Sequence, residues 1–173
     1  MNLIDTHCHL DFEDFSEDLN AIIERAQSAG VDKMITISTR MSKLSNLLQI
    51  TDTYECVSCS VGVHPCEVGE EGVIDIQDIL MYANHPKVVG IGETGLDYFH
   101  DASNAQAQLD SFMVHIDAAR KSKLPVIIHS RNADDDMAFI LEREIKNWSF
   151  NGVLHCFTGS MALAEKAIEL GLY

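Results

Sequence analysis

Short apolar runs alternate with amphipathic stripes along the chain. The runs around Ile4 and over 33–38, 56–63, 88–93, 126–129 and 153–155 are rich in Val and Ile and bounded by Gly, Pro or polar residues. That is the pattern of buried parallel strands. Between them, Leu19, Ile22, Ile23 and Ala26 share one helical face, with Gly30 placed as a C-cap. Leu44, Leu47 and Leu48 mark a second helix, and Ile76, Ile79, Leu80 and Ala83 a third. Leu109, Phe112, Met113, Ile116 and Ala119 form the clearest stripe, leading through Pro125 into the next strand. Met137, Ile140 and Leu141 pattern another helix, and Leu163, Ala167 and Ile168 the last. Strict alternation with short connections predicts a parallel sheet with right-handed crossovers.

A polar, metal-competent residue closes strand after strand: His7 with His9, then His64, Glu93, His129 and His155. Residues of this kind at successive C-terminal strand ends are the layout of a TIM (β/α)8-type barrel site. The expected fold is therefore α/β, an incomplete barrel of about six βα units. No linker or low-complexity stretch divides it, so residues 1–173 read as a single domain. Gly171, Leu172 and Tyr173 read as a turn out of a helix into a seventh strand. A closed barrel takes eight strands and roughly 250 residues, so the last strands are expected to be lacking. No stable protein partner is implied, although an open barrel edge could associate with another chain.

The strand-end residues suggest metal chemistry. His7 and His9 are separated by one residue, so on a strand both side chains point to one face. Two imidazoles on the inner face of a barrel can reach one ion. Glu93 ends an apolar run, where a buried carboxylate is costly unless paired or metal-bound. Its two oxygens can bridge two cations, and His129 and His155 could complete the shell of the second. Taken singly, His129 and His155 are better explained as hydrogen-bonded core histidines, and the His7/His9 pair equally well as structural. The recurrence at equivalent strand ends points to a metal-dependent hydrolase.

Composition narrows the partners. The formal net charge of −15 argues against binding nucleic acid through a basic patch. Divalent cations could instead supply positive charge toward a phosphate. No signal-peptide pattern and no membrane-length apolar run is visible, so no membrane association is expected. Five cysteines, an odd number, suit free thiols and a cytoplasmic location. The lone Cys56/Cys59 pair lies in a strand pattern and reads as small core residues.

The motifs together resemble a known family. Asp5-Thr6-His7-Cys8-His9-Leu10-Asp11, Gly62-Val63-His64-Pro65, Gly92-Glu93-Thr94-Gly95-Leu96-Asp97-Tyr98, Pro125-Val126-Ile127-Ile128-His129-Ser130-Arg131 and His155-Cys156-Phe157-Thr158-Gly159-Ser160 are similar to the TatD-type metal-dependent deoxyribonucleases, in order and spacing. The resemblance implies a TIM barrel that hydrolyses phosphodiester bonds of DNA with two divalent metal ions. It implies His7 and His9 on the first ion, Glu93 bridging both, and His129 with His155 on the second. It also implies a further aspartate ligand on a later strand, beyond Tyr173, that orients the attacking water. No catalytic base is therefore assigned within the chain, and weak or absent activity is expected of the chain as it stands. His64 and Arg131 could bind the substrate phosphate, with a role in holding their loops as the alternative. Asp97 and Tyr98 could support the ligand shell.

Mg²⁺, Mn²⁺ and Zn²⁺ all stay open as the ions. Two alternatives stand beside the nuclease: an amidohydrolase-type metallohydrolase on the same barrel, and a non-catalytic fragment. The first commonly bridges its ions with a carbamylated lysine on the fourth strand, where this chain offers Glu93.

Overall fold

The computed structural model describes residues 2–173, and these contain six strands and seven α-helices. Strands β1 (Leu3–Cys8), β2 (Val31–Thr36), β3 (Val57–Val61), β4 (Val88–Asp97), β5 (Val126–Arg131) and β6 (Gly152–Leu154) pair in chain order. Every pair is parallel. Five interstrand steps across a flat sheet would separate the outermost strands by about 24 Å. Yet the rings of His7, on β1, and His155, just past β6, have centroids 3.3 Å apart. The sheet is therefore curled into an open barrel, which brings its C-terminal strand ends together.

Helices α1 (Leu19–Ser28), α2 (Leu44–Thr53), α3 (Val68–Glu71), α4 (Ile76–Ala83), α5 (Ala105–Ser122), α6 (Asp134–Asn147) and α7 (Met161–Glu169) connect the strands. Their ends carry the expected local chemistry. Asp75 accepts the Gln77 N–H at the start of α4, and Ser160 accepts the Leu163 N–H at the start of α7. Gly30, at φ +94°, turns the chain out of α1. The apolar stripes read from the sequence face the sheet. Phe112, Ile116 and Ala119 of α5 join Val61, Ile91, Leu96 and Ile128 in one buried cluster. Each large side chain buried this way contributes about 1.5–3 kcal/mol. A smaller cluster of Leu10, Ile23, Met34, Ile50 and Val57 packs under the first two helices, with Cys8 against it.

Strand boundaries shift in instructive places. β2 ends at Thr36 rather than 38, and β3 covers Val57–Val61 rather than 56–63. Ser38 leaves β2 but stays buried, with its N–H bonded to Ser60 Oγ and its carbonyl accepting the Glu93 N–H. β4 does not stop at Glu93 but runs on to Asp97, and β5 extends to Arg131. Gly95 permits the extension: its φ is +142°, and a Cβ there would lie 2.0 Å from the His129 carbonyl oxygen. A register shift between Gly92 and Thr94 accompanies it.

At the far edge, the Tyr173 N–H donates to the Gly152 carbonyl, and the Leu154 N–H donates to the Tyr173 carbonyl. This is the bonding of a parallel neighbour to β6, in line with the strand start read at Gly171 to Tyr173. Leu3 and Ile4 on β1 and Val153 on β6 are exposed apolar edge residues. No helix among the described residues is long and apolar enough to cross a membrane.

Candidate functional site

The curl of the sheet places Glu93 at the focus of the strand ends. Its carboxyl group is 3% exposed and meets only imidazoles among the described residues. Oε2 lies 3.2 Å from His7 Nε2, and Oε1 lies 2.8 Å from His129 Nδ1. Two groups of donors share this one carboxylate. His7, His9 and Glu93 form the first, and His64, Glu93 and His129 the second, with donor atoms in each within 4.8 Å of one another.

Second contacts settle which nitrogen each ring can offer. His129 Nε2 is 3.0 Å from Asp97 Oδ2, so its proton on that side points at a carboxylate. Its Nδ1, 2.8 Å from Glu93 Oε1, donates to that carboxylate, and giving up this proton would turn Nδ1 into a lone pair beside Glu93, the arrangement of a histidine ligand backed by a carboxylate. Asp97 is itself held by the backbone N–H groups of Phe99 and His100. His64 is oriented the opposite way. Its Nδ1 accepts the Cys66 N–H at 3.2 Å, which keeps the ring proton on Nε2, toward the site. His64 therefore faces the cleft as a hydrogen-bond donor, although its ring lies in the second donor group. The Val63 N–H, one residue before it, donates to Nε2 of the fully buried His115, whose Nδ1–H donates to the Ser111 carbonyl. His115 thus anchors the segment that presents His64.

Protonation follows the same logic. Burial works against the Glu93 charge, but bonds from His129 and His7 hold the carboxyl well below the usual range. Burial pulls His64 down to about 4 and lowers His9 and His155, the latter two also through the neighbouring His7. These three rings are neutral near pH 7. His129 is raised despite its burial, because it lies between Glu93 and Asp97.

The sequence-predicted residues sort as follows. His7, His9, Glu93 and His129 converge. His155 borders the same cleft but stacks flat on His7, with an interplanar angle of 6°, and lies outside both donor groups. Arg131 lies at the cleft mouth with its guanidinium 4.8 Å from the Phe99 ring centre. Asp97 supports the shell, whereas the Tyr98 hydroxyl turns away to donate to Asp136. Sequence reading missed His115, hidden in a helical stripe, and the cleft residues Phe12, Arg40, Lys43 and Cys66. The cleft encloses about 490 Å³.

The residues fit divalent cations. The buried Glu93 carboxylate has no Lys or Arg beside it, and its imidazole partners can exchange their protons for a cation. His9 Nδ1 is buried without a hydrogen-bond partner. The donors are imidazoles and one bridging carboxylate, a set suited to borderline divalent metals.

Known proteins match this chain. The profile of the family described as TatD related DNase covers residues 4–173. The chain is 33% identical over 171 residues to YabD of Bacillus subtilis, named an uncharacterized metal-dependent hydrolase, covering 99% of this chain and 67% of that protein. It is 37% identical over 169 residues to a protein of Schizosaccharomyces pombe named deoxyribonuclease Tat-D, covering 91% and 54%. The crystal structure of YJJV, a TatD homologue from Escherichia coli, superposes with a TM-score of 0.89 at 33% identity, over 98% of this chain and 66% of that one. The chain thus spans about two thirds of the length of most of these relatives. The curled six-stranded sheet, the strand-end motifs and the profile match lead to one assignment: the chain belongs to the TatD-related DNase family.

Proposed function

We propose that the Glu93 group is the centre of a divalent-metal-dependent hydrolase that cleaves phosphodiester bonds of DNA. The observation that carries this reading is the buried Glu93 carboxylate, shared by two donor groups and neutralised by imidazoles alone. His7, His9 and Glu93 would hold one ion, and Glu93 with His129 a second, with His155 as a further donor at the cleft wall. Bound divalent cations supply Lewis-acid stabilisation of phosphate charge and lower the pKa of an attacking water.

The protein's own groups do the rest. Asp97 fixes the His129 ring so that its Nδ1 faces Glu93. His64 turns its Nε2–H toward the Glu93 group, 3.8 Å from Oε1, where it can donate to a phosphate oxygen bound beside that group. Arg131 offers a planar donor fork at the mouth, held against Phe99. Lys43 adds a second cationic side chain to a cleft in a chain of net charge −15. This local positive rim on an acidic protein favours an anionic substrate. DNA as that substrate draws support from the name of the S. pombe relative.

The amidohydrolase alternative is disfavoured by the fourth strand. β4 reads VVGIGETGLD and has no lysine to carry a carbamate bridge.

The test uses end-labelled single- and double-stranded oligonucleotides with Mg²⁺, Mn²⁺ or Zn²⁺. Weak cleavage that stops in EDTA and in Glu93→Gln is the expected result. Hydrolysis of amide or lactone substrates with intact oligonucleotides would overturn the reading.

A further inference from the structure

Beside the Glu93 centre lies a second set of donors with different chemistry. Cys66 follows the His64–Pro65 turn, Asp97 ends β4, and His100 lies in the loop after it. One sulfur, one carboxylate oxygen and one imidazole nitrogen from these residues lie within 4.8 Å of one another. The Asp97 side chain is 1% exposed, whereas that of His100 is 51% exposed, so the set opens to solvent on the histidine side.

Cys66 Sγ lies within 4.8 Å of an Asp97 carboxylate oxygen, and His100 Nδ1 lies 2.9 Å from Asp97 Oδ2. Asp97 does not depend on either contact for its position. Its Oδ1 accepts the backbone N–H groups of Phe99 at 3.0 Å and His100 at 2.8 Å. The carboxylate is thus a preorganised ligand, and the thiol and imidazole protons beside it can be displaced by a cation.

We propose that Cys66, Asp97 and His100 form a separate zinc-type cation site, distinct in ligand chemistry from the all-nitrogen-and-oxygen Glu93 centre. Thiolate, imidazole and carboxylate with one open position is a ligand set of tetrahedral Zn²⁺. It discriminates against Mg²⁺ and Mn²⁺, which prefer oxygen. On binding, the thiol proton leaves to solvent and a sulfur–metal bond forms. The proton between His100 Nδ1 and Asp97 is likewise displaced, by exchange with solvent, so that Nδ1 gives its lone pair and the ring stays neutral with Nε2–H, and a water fills the fourth position. Asp97 is shared with His129, so the two sites are neighbours across one carboxylate.

Sulfur ligation has its own spectroscopic mark. Co²⁺ bound to a thiolate shows an intense sulfur-to-metal charge-transfer band in the near ultraviolet, and imidazole or carboxylate ligands do not produce it. The experiment titrates Co²⁺ into the purified chain, kept reduced with a phosphine. At saturating Co²⁺ the band intensity is expected to correspond to one sulfur-bound ion per chain and to vanish in Cys66→Ser. It should persist in Cys156→Ser, whose thiol also borders the cleft, and in Glu93→Gln, which disables only the other centre. His100→Gln, at an exposed position, should weaken Co²⁺ binding at least about tenfold. It also provides the test should Cys66→Ser fail to fold. No band in the wild-type chain at saturating Co²⁺, a band that survives Cys66→Ser, or unchanged affinity in His100→Gln would overturn the proposal.

Discussion

Two buried carboxylates at opposite ends of the strands have been given different counterions. Glu144, 6% exposed, lies in the last turn of α6. It meets Arg120 at 3.1 Å and Arg143 at 2.7 Å. Arg120 also bonds the Trp148 carbonyl and lies over the rings of Trp148 and Phe150. These cations are permanent, and the arrangement ties α5 to α6. Glu93, 3% exposed, has only histidines around it. Imidazoles can surrender a proton and offer a lone pair, whereas guanidinium cannot. The difference separates a carboxylate buried for architecture from one kept available for an exchangeable cation.

Removing each carboxylate tests that distinction most strongly. Glu144→Ala leaves the buried Arg120 with Asp117 as its one carboxylate partner among the described residues and should cost about 3 kcal/mol, the lower end for breaking a buried pair. Glu93→Gln, measured in chelator, should cost less, about 1–2 kcal/mol, since it weakens the bonds from His7 and His129 while leaving imidazoles that can give up their protons. Urea midpoints for both variants decide this, and an equally large loss in Glu93→Gln would erase the contrast.

His115 sharpens the comparison from another side, because it is buried with no carboxylate at all. Total burial pulls it down to about 4 from an ordinary 6.5. The unfolded chain therefore binds this proton first as pH falls. The stability contribution is complete above pH 6.5 and is lost as pH drops toward about 4, by about 3 kcal/mol in all. Denaturation curves at pH 7 and pH 5 should show part of that slope in the wild type and less of it in His115→Gln. Equal slopes would mean that His115 does not titrate with folding.

The smallest effect concerns orientation. Asp97→Asn keeps the shape but weakens the acceptor for the His129 Nε2–H. Mn²⁺ affinity should fall by about 10–100-fold, the range typical of outer-sphere partners of metal ligands. Isothermal titration would reveal it, and unchanged affinity would mean that Asp97 does not set the His129 tautomer.

Much of this was legible in the sequence because strand period and strand-end chemistry coincide. His7, Glu93 and His129 each close an apolar run, so their convergence followed once the sheet curled. The extension of β4 to Asp97 was not legible. Gly92, Thr94 and Gly95 look like punctuation, and only the close approach of β5 shows that glycine lets the strand continue. His64 and His155 were read as donor and ligand from motif position alone. Ring orientation depends on the Cys66 N–H and on stacking with His7, which no linear pattern encodes. His115 was hidden for a related reason: its function is to bond a backbone N–H from another element.

The central claim is that Glu93 joins two divalent cation sites, and Mn²⁺ titration tests it most directly. Mn²⁺ avoids the thiolate of the Cys66 set and reports on the oxygen and imidazole donors. The account predicts two Mn²⁺ per wild-type chain and a loss of more than about 100-fold in affinity at both sites in Glu93→Gln, beyond what outer-sphere changes produce. Binding of Mn²⁺ by Glu93→Gln with wild-type stoichiometry and affinity would contradict it.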